Sequence, residues 1–436
     1  MDIKKVTIKN WQCIDFLTLS FEKMMIFIGE SNHGKTSIIN ALSAGLGFYE
    51  VEKSDFKDKT KEIEIKIKFF DKTEGFSTIK FIKNTDLEDK YFYINRGIEK
   101  QLNKEEFKSR FSTTQVIKIS SKEMEVKESL IKIKDILNMN KTKNFKILND
   151  LAGKIEFLDK NRSSPSLQRR VLFSFLKNTL NELKSYPNKQ QDILDNTILI
   201  FEEPELHLNP QISRELYSQL IKLSNIGIQI VIETHSSYFV GLKQYKSICL
   251  VKKVRQQVIV FQHTGQLFNG DEIKNFNMNY WINPDRGEMF FAKKVILVEG
   301  QTDKIAISYL AKKLEIYNYN YSIVECGSKS TIPQFIKILN AYRIPYVAVY
   351  DKDNHLWRNE MELESSNDKN KRIRKMINTY IGNYIEFEND IEEEIYSKDR
   401  EKKNYKNKPY FTLQKISEDD YNLPIQLQDK IKKIYK

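Results

Sequence analysis

Hydrophobic and polar positions change their period along this chain, and the changes divide it into parts. Near the start, VTIKN (6–10), FLTLSF (16–21) and MMIFIG (24–29) read as strands, the last apolar throughout. A glycine-bearing loop then leads into a helix expected near Lys35. From about 60 to 120 apolar and polar residues alternate, as in KEIEIKIKFF, FSTIKFIK and YFYIN. That period predicts antiparallel strands with one face on a core. The stretch 122–160 is polar with weak helical periodicity, and a helix is expected from about 166 to 182. The runs NTILIFEE and IQIVIETH follow, strands of the fully buried kind with a helical pattern between them.

A second alternation of strands and helices starts near 293: VILVEG, DKIAISYLAKKL, YSIVEC, IPQFIKILNAY and YVAVYDKD. It predicts a parallel sheet with crossover helices. The expected organisation is an N-terminal α/β domain over 1–264, a linker over 265–292, and a second α/β domain over 293–436 with C-terminal helices. Within the first, an antiparallel lobe spans about 55–120 and a further helix about 162–182. No repeat is evident, and no heptad run is long enough for an extended coiled coil.

The 436 residues, 40% of them apolar, suffice for several domains with sizeable cores. A net charge of +12 suggests a polyanionic partner, although the same lysine excess could merely solvate the surface. Cys13, Cys249 and Cys326 lie far apart and form no CxxC pair, which argues against a zinc site or a disulfide framework. The start, MDIKKVTIKNW, has no apolar leader core, and no run approaches about 18 apolar residues. A cytoplasmic chain with no membrane partner is expected.

Two sets of residues carry chemistry. The first is GESNHGKT (29–36), a G-x4-G-K-[ST] loop between an apolar strand and a helix. Gly29 and Gly34 let the backbone N–H groups face phosphates, and the helix N-terminus adds a favourable dipole. Lys35 would reach the β- and γ-phosphates and Thr36 would ligate Mg²⁺; Asn32 and Ser37 complete the expected ATP contacts. Downstream, Glu202 at a strand tip would hold the magnesium directly or through water, and Glu203 would polarise the attacking water. His235, after the next strand, would sense the γ-phosphate.

The second set lies at strand ends after residue 293. Glu299 precedes Gly300, Asp303 opens the next helix, Gly327 follows the second strand, and Asp351 and Asp353 follow the third. Acids at the C-terminal ends of neighbouring parallel strands converge on one crevice. Like charges so close repel unless cations neutralise them, and oxygen ligands favour Mg²⁺ or Mn²⁺ over zinc. Asp351 and Asp353, two apart, could share one ion or bridge two.

The first set resembles the ABC ATPase superfamily in the branch of SMC and RecF proteins, over roughly 1–262. The second, Glu-Gly then Gly then Asp-x-Asp, resembles the Toprim domain. FEEPELHLNP, THS and FAKKVILVEGQTD in this order resemble the OLD (overcoming lysogenization defect) family, in which an ABC head precedes a Toprim nuclease domain. The resemblance implies a homodimer or larger assembly through facing heads, each completed by the partner's signature helix. The candidate signature is NRSSPSLQRRVLFSFL, with Ser163, Ser164, Ser166, Gln168 and Arg169; it has serines and Pro165 where glycines are usual, which puts ATP turnover in question. It further implies two metal ions held by Glu299, Asp303, Asp351 and Asp353 and by later acids. For the latter, Glu386 and Glu388 in NYIEFENDIEEEI have the family's serine-x-glutamate spacing of two, with Glu388 the preferred ligand and Glu386 in the serine's place; the alternative is a generic acidic loop. Lys408, in NKPYFTLQKI, stands in the context of the family's late lysine. Asp303 replaces a more usual glutamate.

The activity so implied is an ATP-binding, two-metal endonuclease acting on double-stranded DNA, with a role in phage defence and a companion protein or nucleic acid. KNKRIRK (369–375) would hold the DNA backbone, or simply face solvent. The alternatives are an ATP-dependent DNA sensor or clamp that does not cut, and nucleotidyl transfer of the primase kind.

Overall fold

The computed structural model describes residues 1–72, 74–86, 88–110, 115–119, 174, 196–270, 272, 284–396 and 407–436. The candidate signature helix, with Ser163, Ser164, Ser166, Gln168 and Arg169, and the polar stretch 122–160 lie outside them. The chain divides into two units, Met1–Thr264 and Gly265–Lys436. No helix among the described residues is long and apolar enough to cross a membrane.

The first unit has two six-stranded sheets. One runs β2-β1-β4-β5-β6-β7, built from β1 (Asp2–Trp11), β2 (Ile14–Ser20), β4 (Ile63–Asp71), β5 (Gly75–Lys83), β6 (Asp89–Asn95) and β7 (Ile98–Leu102). All of its pairings are antiparallel. In β4, Ile63, Ile65, Ile67 and Phe69 are fully buried while the residues between them are not, as alternation along a one-sided strand requires. The other sheet runs β12-β11-β3-β10-β9-β8. Its members are β3 (Met24–Ile28), β8 (Gln115–Ile119), β9 (Thr197–Glu202), β10 (Gln229–Glu233), β11 (Ile248–Val254) and β12 (Gln257–Gln262). Strands β3, β9 and β10 are buried at every residue, so their apolar runs do not alternate. Helix α1 (Lys35–Gly45) shares a core with both sheets, through Ile39 and Leu42 with Ile65, Ile67, Ile198 and Val231. Helix α2 (Lys104–Arg110) follows β7, and α3 (Pro210–Asn225) connects β9 to β10. Asn209 caps α3, its side chain accepting the Ile212 N–H at 2.9 Å.

The second unit is a four-stranded, wholly parallel sheet in the order β14-β13-β15-β16. The strands are β13 (Lys294–Val298), β14 (Tyr321–Glu325), β15 (Tyr346–Asp351) and β16 (Gly382–Phe387). Helices α4 (Gln301–Lys313), α5 (Ile332–Ala341) and α6 (Glu360–Met376) make the crossovers. Among the described residues, α7 (Ile391–Tyr396), α8 (Lys408–Ile416) and α9 (Ile425–Tyr435) follow β16. Ile296, Val298, Val347 and Val349 form one core with Ile307 and Leu310 of α4, Ile416 of α8 and Ile431 of α9. Gly382 sits against the Tyr346 ring, where a Cβ would come within 2.3 Å of a ring carbon. Every strand points its C-terminal end the same way, and the acids cluster at that edge.

Candidate functional site

The phosphate loop is shaped by contacts that only glycine tolerates. Gly29 has φ +144°, and a Cβ there would lie 2.2 Å from the Val251 carbonyl oxygen on β11. Gly34 has φ +98° and is the N-cap of α1, with Val258 and Cys13 against it. Asn32 between them is also left-handed, and the Ser37 hydroxyl lies 3.4 Å from Cys13 Sγ. Lys35 is buried, and its ammonium donates to the carbonyls of Gly29 and Glu30 at 3.0 and 2.9 Å. Burial lowers its pKa, opposed by Glu233, Glu203 and Glu205. Because β10 lies between β3 and β9, the loop, Glu202 and Glu233 share one sheet edge.

At that edge Glu202 is held by Lys118 at 2.7 Å, whereas Thr36 Oγ1 donates to Glu233 at 2.6 Å. Burial pushes the Glu233 carboxyl up to about 7, opposed by the Thr36 hydroxyl and by Lys35. Glu203 has φ +45°, a conformation costly for a non-glycine residue, and its carboxylate lies 3.6 Å from His235 Nε2. Burial lowers the His235 pKa. Glu205 accepts from the Thr234 hydroxyl at 2.7 Å and the His235 N–H at 2.9 Å, fixing the turn that presents the histidine. Neither Glu233 nor Lys118 was foreseen from the sequence; the only signal was an acid two residues before the histidine.

In the second unit, Glu299, Asp303 and Asp351 gather where β13, α4 and β15 meet. The Asp351 N–H donates to Glu299 Oε1 at 3.0 Å, and the Gly300 N–H to Asp303 Oδ2 at 2.9 Å. Burial and the Glu299 charge push the Asp303 carboxyl up to about 7. Burial, with Asp303, Glu299, Asp390 and Glu392 around it, pushes Asp351 well above the carboxylate range. Its Oδ1 is buried with no hydrogen-bond partner. Glu299 is raised by burial against the opposing Lys329. Opposite them, Asp390 caps α7 by accepting the Glu393 N–H at 2.7 Å. The Lys408 ammonium, at the start of α8, lies 3.0 Å from Glu392 and 3.7 Å from Asp390. His355 Nδ1 lies 2.8 Å from Glu393 Oε1 and braces the same turn.

Residues 290–353 match the family model described as overcoming lysogenization defect protein-like, TOPRIM domain. Over that span the second unit is similar to an OLD-like Toprim domain. Residues 183–241 match the AAA domain, putative AbiEii toxin, Type IV TA system, and residues 1–84 a protein of unknown function, DUF2813. The chain is 30% identical over 194 residues to the OLD nuclease of Thermus scotoductus, covering 40% of this chain and 36% of that protein. It is 25% identical over 202 residues to the Old nuclease of Escherichia phage P2, covering 45% and 34%. It thus spans about a third of the length of these relatives. The SMC head domain from Thermotoga maritima is a distant likeness at 12% identity and a TM-score of 0.40, covering 60% of this chain and 99% of that one.

Within the Toprim unit two expected ligands prove to lie elsewhere. Glu386 pairs in register with Tyr350, and Phe387 with Asp351. Side chains alternate along a strand, so Glu386 projects to the face opposite Asp351. There it accepts from the Tyr350 hydroxyl at 2.7 Å and lies 3.7 Å from Arg374. Glu388 is exposed and bound by Lys352 at 2.7 Å and Asn354 at 2.9 Å, contacts that lower its pKa. The acids beside Asp351 are Asp390 and Glu392, in the same run and with the same spacing of two.

Asp353 also departs from expectation. With φ +63° it turns away from Asp351 and meets Lys329 at 2.5 Å, Arg358 at 2.7 Å and Ser366 at 2.9 Å. Burial acts to raise its pKa, but Lys329 and these other partners outweigh it and the net shift is downward. Glu299, Lys329, Asp353, Arg358 and Lys369 line a cavity of about 650 Å³. The signal for Lys329 was the run SKS directly after Gly327.

Among the described residues no three acidic, histidine or cysteine side chains already converge as a metal-ligand group. The orphaned Asp351 oxygen and the raised acids nevertheless fit a hard divalent cation, which oxygen donors suit.

Proposed function

We propose that this chain is an ATP-controlled, divalent-metal-dependent DNA endonuclease. The observation that carries the reading is one set, the buried Asp303, Asp390 and Glu392 with the part-buried Glu299, Asp351 and Lys408, at the C-terminal edge of a sheet similar to an OLD-like Toprim domain. Those five acids are the oxygen donors that would hold Mg²⁺ or Mn²⁺, with Asp353 at the rim. Two bound ions would supply an activated water and stabilisation of the leaving 3′ oxygen. Lys408 would offset the charge that builds on the phosphorus oxygens, where a fixed cation in a water-poor site acts strongly. Lys329, Arg358 and Lys369 would hold neighbouring phosphates of double-stranded DNA without reading bases.

In the ATPase head, Gly29, Asn32, Gly34, Lys35, Thr36 and Ser37 would cradle MgATP, with Glu202 on the magnesium side and Glu203 and His235 at the γ-phosphate. The SMC-like plan of the head suggests pairing of two chains. A cytoplasmic role in phage defence, with a companion protein or nucleic acid, agrees with the family resemblance. A second reading, a DNA sensor that binds without cutting, draws support from Asp353, whose carboxylate is occupied by Lys329 and Arg358.

Plasmid cleavage with Mg²⁺ or Mn²⁺, with and without ATP, separates these. Wild type is expected to cut, Asp351→Ala to lose cutting, and Lys35→Ala to show the direction of ATP control. DNA binding without cleavage under every metal and nucleotide condition would favour the sensor.

A further inference from the structure

The acid in contact with the magnesium-ligating hydroxyl of the head is Glu233. Thr36 has one hydroxyl proton, and in the structure it goes to Glu233 Oε1 at 2.6 Å. A hydroxyl can offer its lone pairs to a cation only while its proton points to another acceptor, and a carboxylate is the strongest acceptor available. Glu233 is 3% exposed, and its second oxygen, Oε2, is buried with no hydrogen-bond partner. Its neighbour across the strand pair, Glu202, is matched instead by the Lys118 ammonium at 2.7 Å. Lys35, whose positive charge acts on Glu233, is the residue a bound triphosphate would draw away. Glu233 would then face the phosphates without a cation unless a divalent ion came with them.

We infer that Glu233 is the positioning acid that couples nucleotide binding to magnesium in this head, orienting Thr36 toward the ion, and that Glu202 is largely neutralised by Lys118. The inference rests on the nucleotide-binding reading of the first unit and is independent of DNA cleavage. Removing its charge should act in two directions. Affinity for the magnesium nucleotide falls, because the ion loses a charge-assisted contact. Affinity for the metal-free nucleotide holds or rises, because a buried negative charge no longer repels it.

The test is equilibrium binding of a fluorescent ATP analogue to the full chain, in Mg²⁺ and in EDTA. Wild type, Glu233→Gln, Glu233→Ala, Glu202→Gln and Lys35→Ala are compared, and Mn²⁺ binding is read by electron paramagnetic resonance with a non-hydrolysable ATP analogue present. Wild type should bind much more tightly with Mg²⁺. Both Glu233 variants should lose roughly tenfold or more of that enhancement, the usual scale for a hydrogen bond to a charged group. They should also weaken Mn²⁺ binding while binding in EDTA is preserved, which a misfolded head would not do. Glu202→Gln should lose less of the enhancement than either Glu233 variant, because Lys118 already offsets the Glu202 charge. Wild-type enhancement in the Glu233 variants, or its loss in Glu202→Gln alone, overturns the inference. Loss of binding in both conditions by Glu233→Gln and Glu233→Ala also overturns it, since the residue would then be serving the fold. If wild type binds nucleotide no better than Lys35→Ala, the nucleotide reading fails and the inference with it.

Discussion

Replacing Asp303 by Asn should make the metal-free protein more stable, by an amount that depends on pH. Asp303 is 8% exposed, and burial with Glu299 beside it moves its carboxyl from 3.8 to about 7. Between those values the folded chain holds a proton that the unfolded chain has released, so stability falls as pH rises through the window. Above about 7 the full penalty applies, and below about 4 it vanishes. A shift of this size corresponds to at most on the order of 4 kcal/mol. Glu299, Asp351 and Glu392 share the repulsion and relax when one charge is removed, so about 2 kcal/mol is a realistic gain. Asparagine is isosteric and keeps an oxygen to accept the Gly300 N–H. For a unit of this size the gain should appear as a rise of roughly 4–8 °C in Tm at pH 8 in EDTA. Calorimetry of the full chain reads this directly, with added nucleotide marking the transition of the first unit. At pH 5 the difference should shrink to less than half, and millimolar Mn²⁺ at pH 8 should stabilise wild type more than the variant. An Asp303→Asn protein that melts at or below wild type at pH 8, or whose gain is as large at pH 5, would refute the argument that these acids repel one another in the absence of a cation.

Four further outcomes follow from the geometry. Glu386→Gln and Glu388→Gln should leave plasmid cleavage within about threefold of wild type, whereas Asp390→Asn and Glu392→Gln should each reduce it by roughly a hundredfold or more, the scale expected when a preorganised electrostatic group is lost. Lys408→Ala should lower cleavage by a similar factor and also lower Tm in EDTA, because Glu392 and Asp390 lose their counter-charge. Gly29→Ala should destabilise the head by about 2–4 kcal/mol in urea melts, since φ is +144° and the new methyl would meet the Val251 carbonyl at 2.2 Å. Tyr350→Phe should cost about 1 kcal/mol in urea melts by removing the donor to Glu386, with cleavage unchanged.

What could be read in advance was whatever depends on local pattern. The parallel strands announced themselves as unbroken apolar runs such as MMIFI and TILIF, and the antiparallel lobe as the alternation of IEIKIKF. The phosphate loop was legible because its glycines answer to backbone geometry: Gly29 packs on β11 and Gly34 caps α1. The acids Glu299, Asp303 and Asp351 were legible because a parallel sheet puts the C-terminal ends of its strands on one edge. Lys118, which meets Glu202 from 84 residues away in sequence, left no local trace, since an ion pair between strands depends on which strands become neighbours.

The late acids show how one spacing fits two pairs of residues. Glu386 and Glu388 are two apart, and so are Asp390 and Glu392, and spacing alone cannot choose between them. The choice depends on where the strand stops. Strand β16 runs to Phe387, so residues up to there are committed to alternate faces, and the pairing of Phe387 with Asp351 assigns Glu386 to the wrong one. Backbone pairing continues past the strand, from Lys352 N–H to Phe387 and from Asp353 N–H to Asn389, which carries Glu388 outward to solvent. Only at Asp390 does the chain turn into a helix, and there the first-turn carboxylates swing back toward the sheet edge, where Lys408 meets them. A helix N-terminus also favours buried negative charge through its dipole, which a strand end does not. The same logic separates Asp353 from Asp351: the left-handed residue at the end of β15 reverses the expected direction and hands its carboxylate to Lys329 and Arg358. The edge therefore has an acid-rich half suited to cations and a lysine–arginine half suited to phosphate. The proposed two-metal reading uses both halves side by side, which is why the Asp390 and Glu392 variants and the Lys408 variant are the ones that test it.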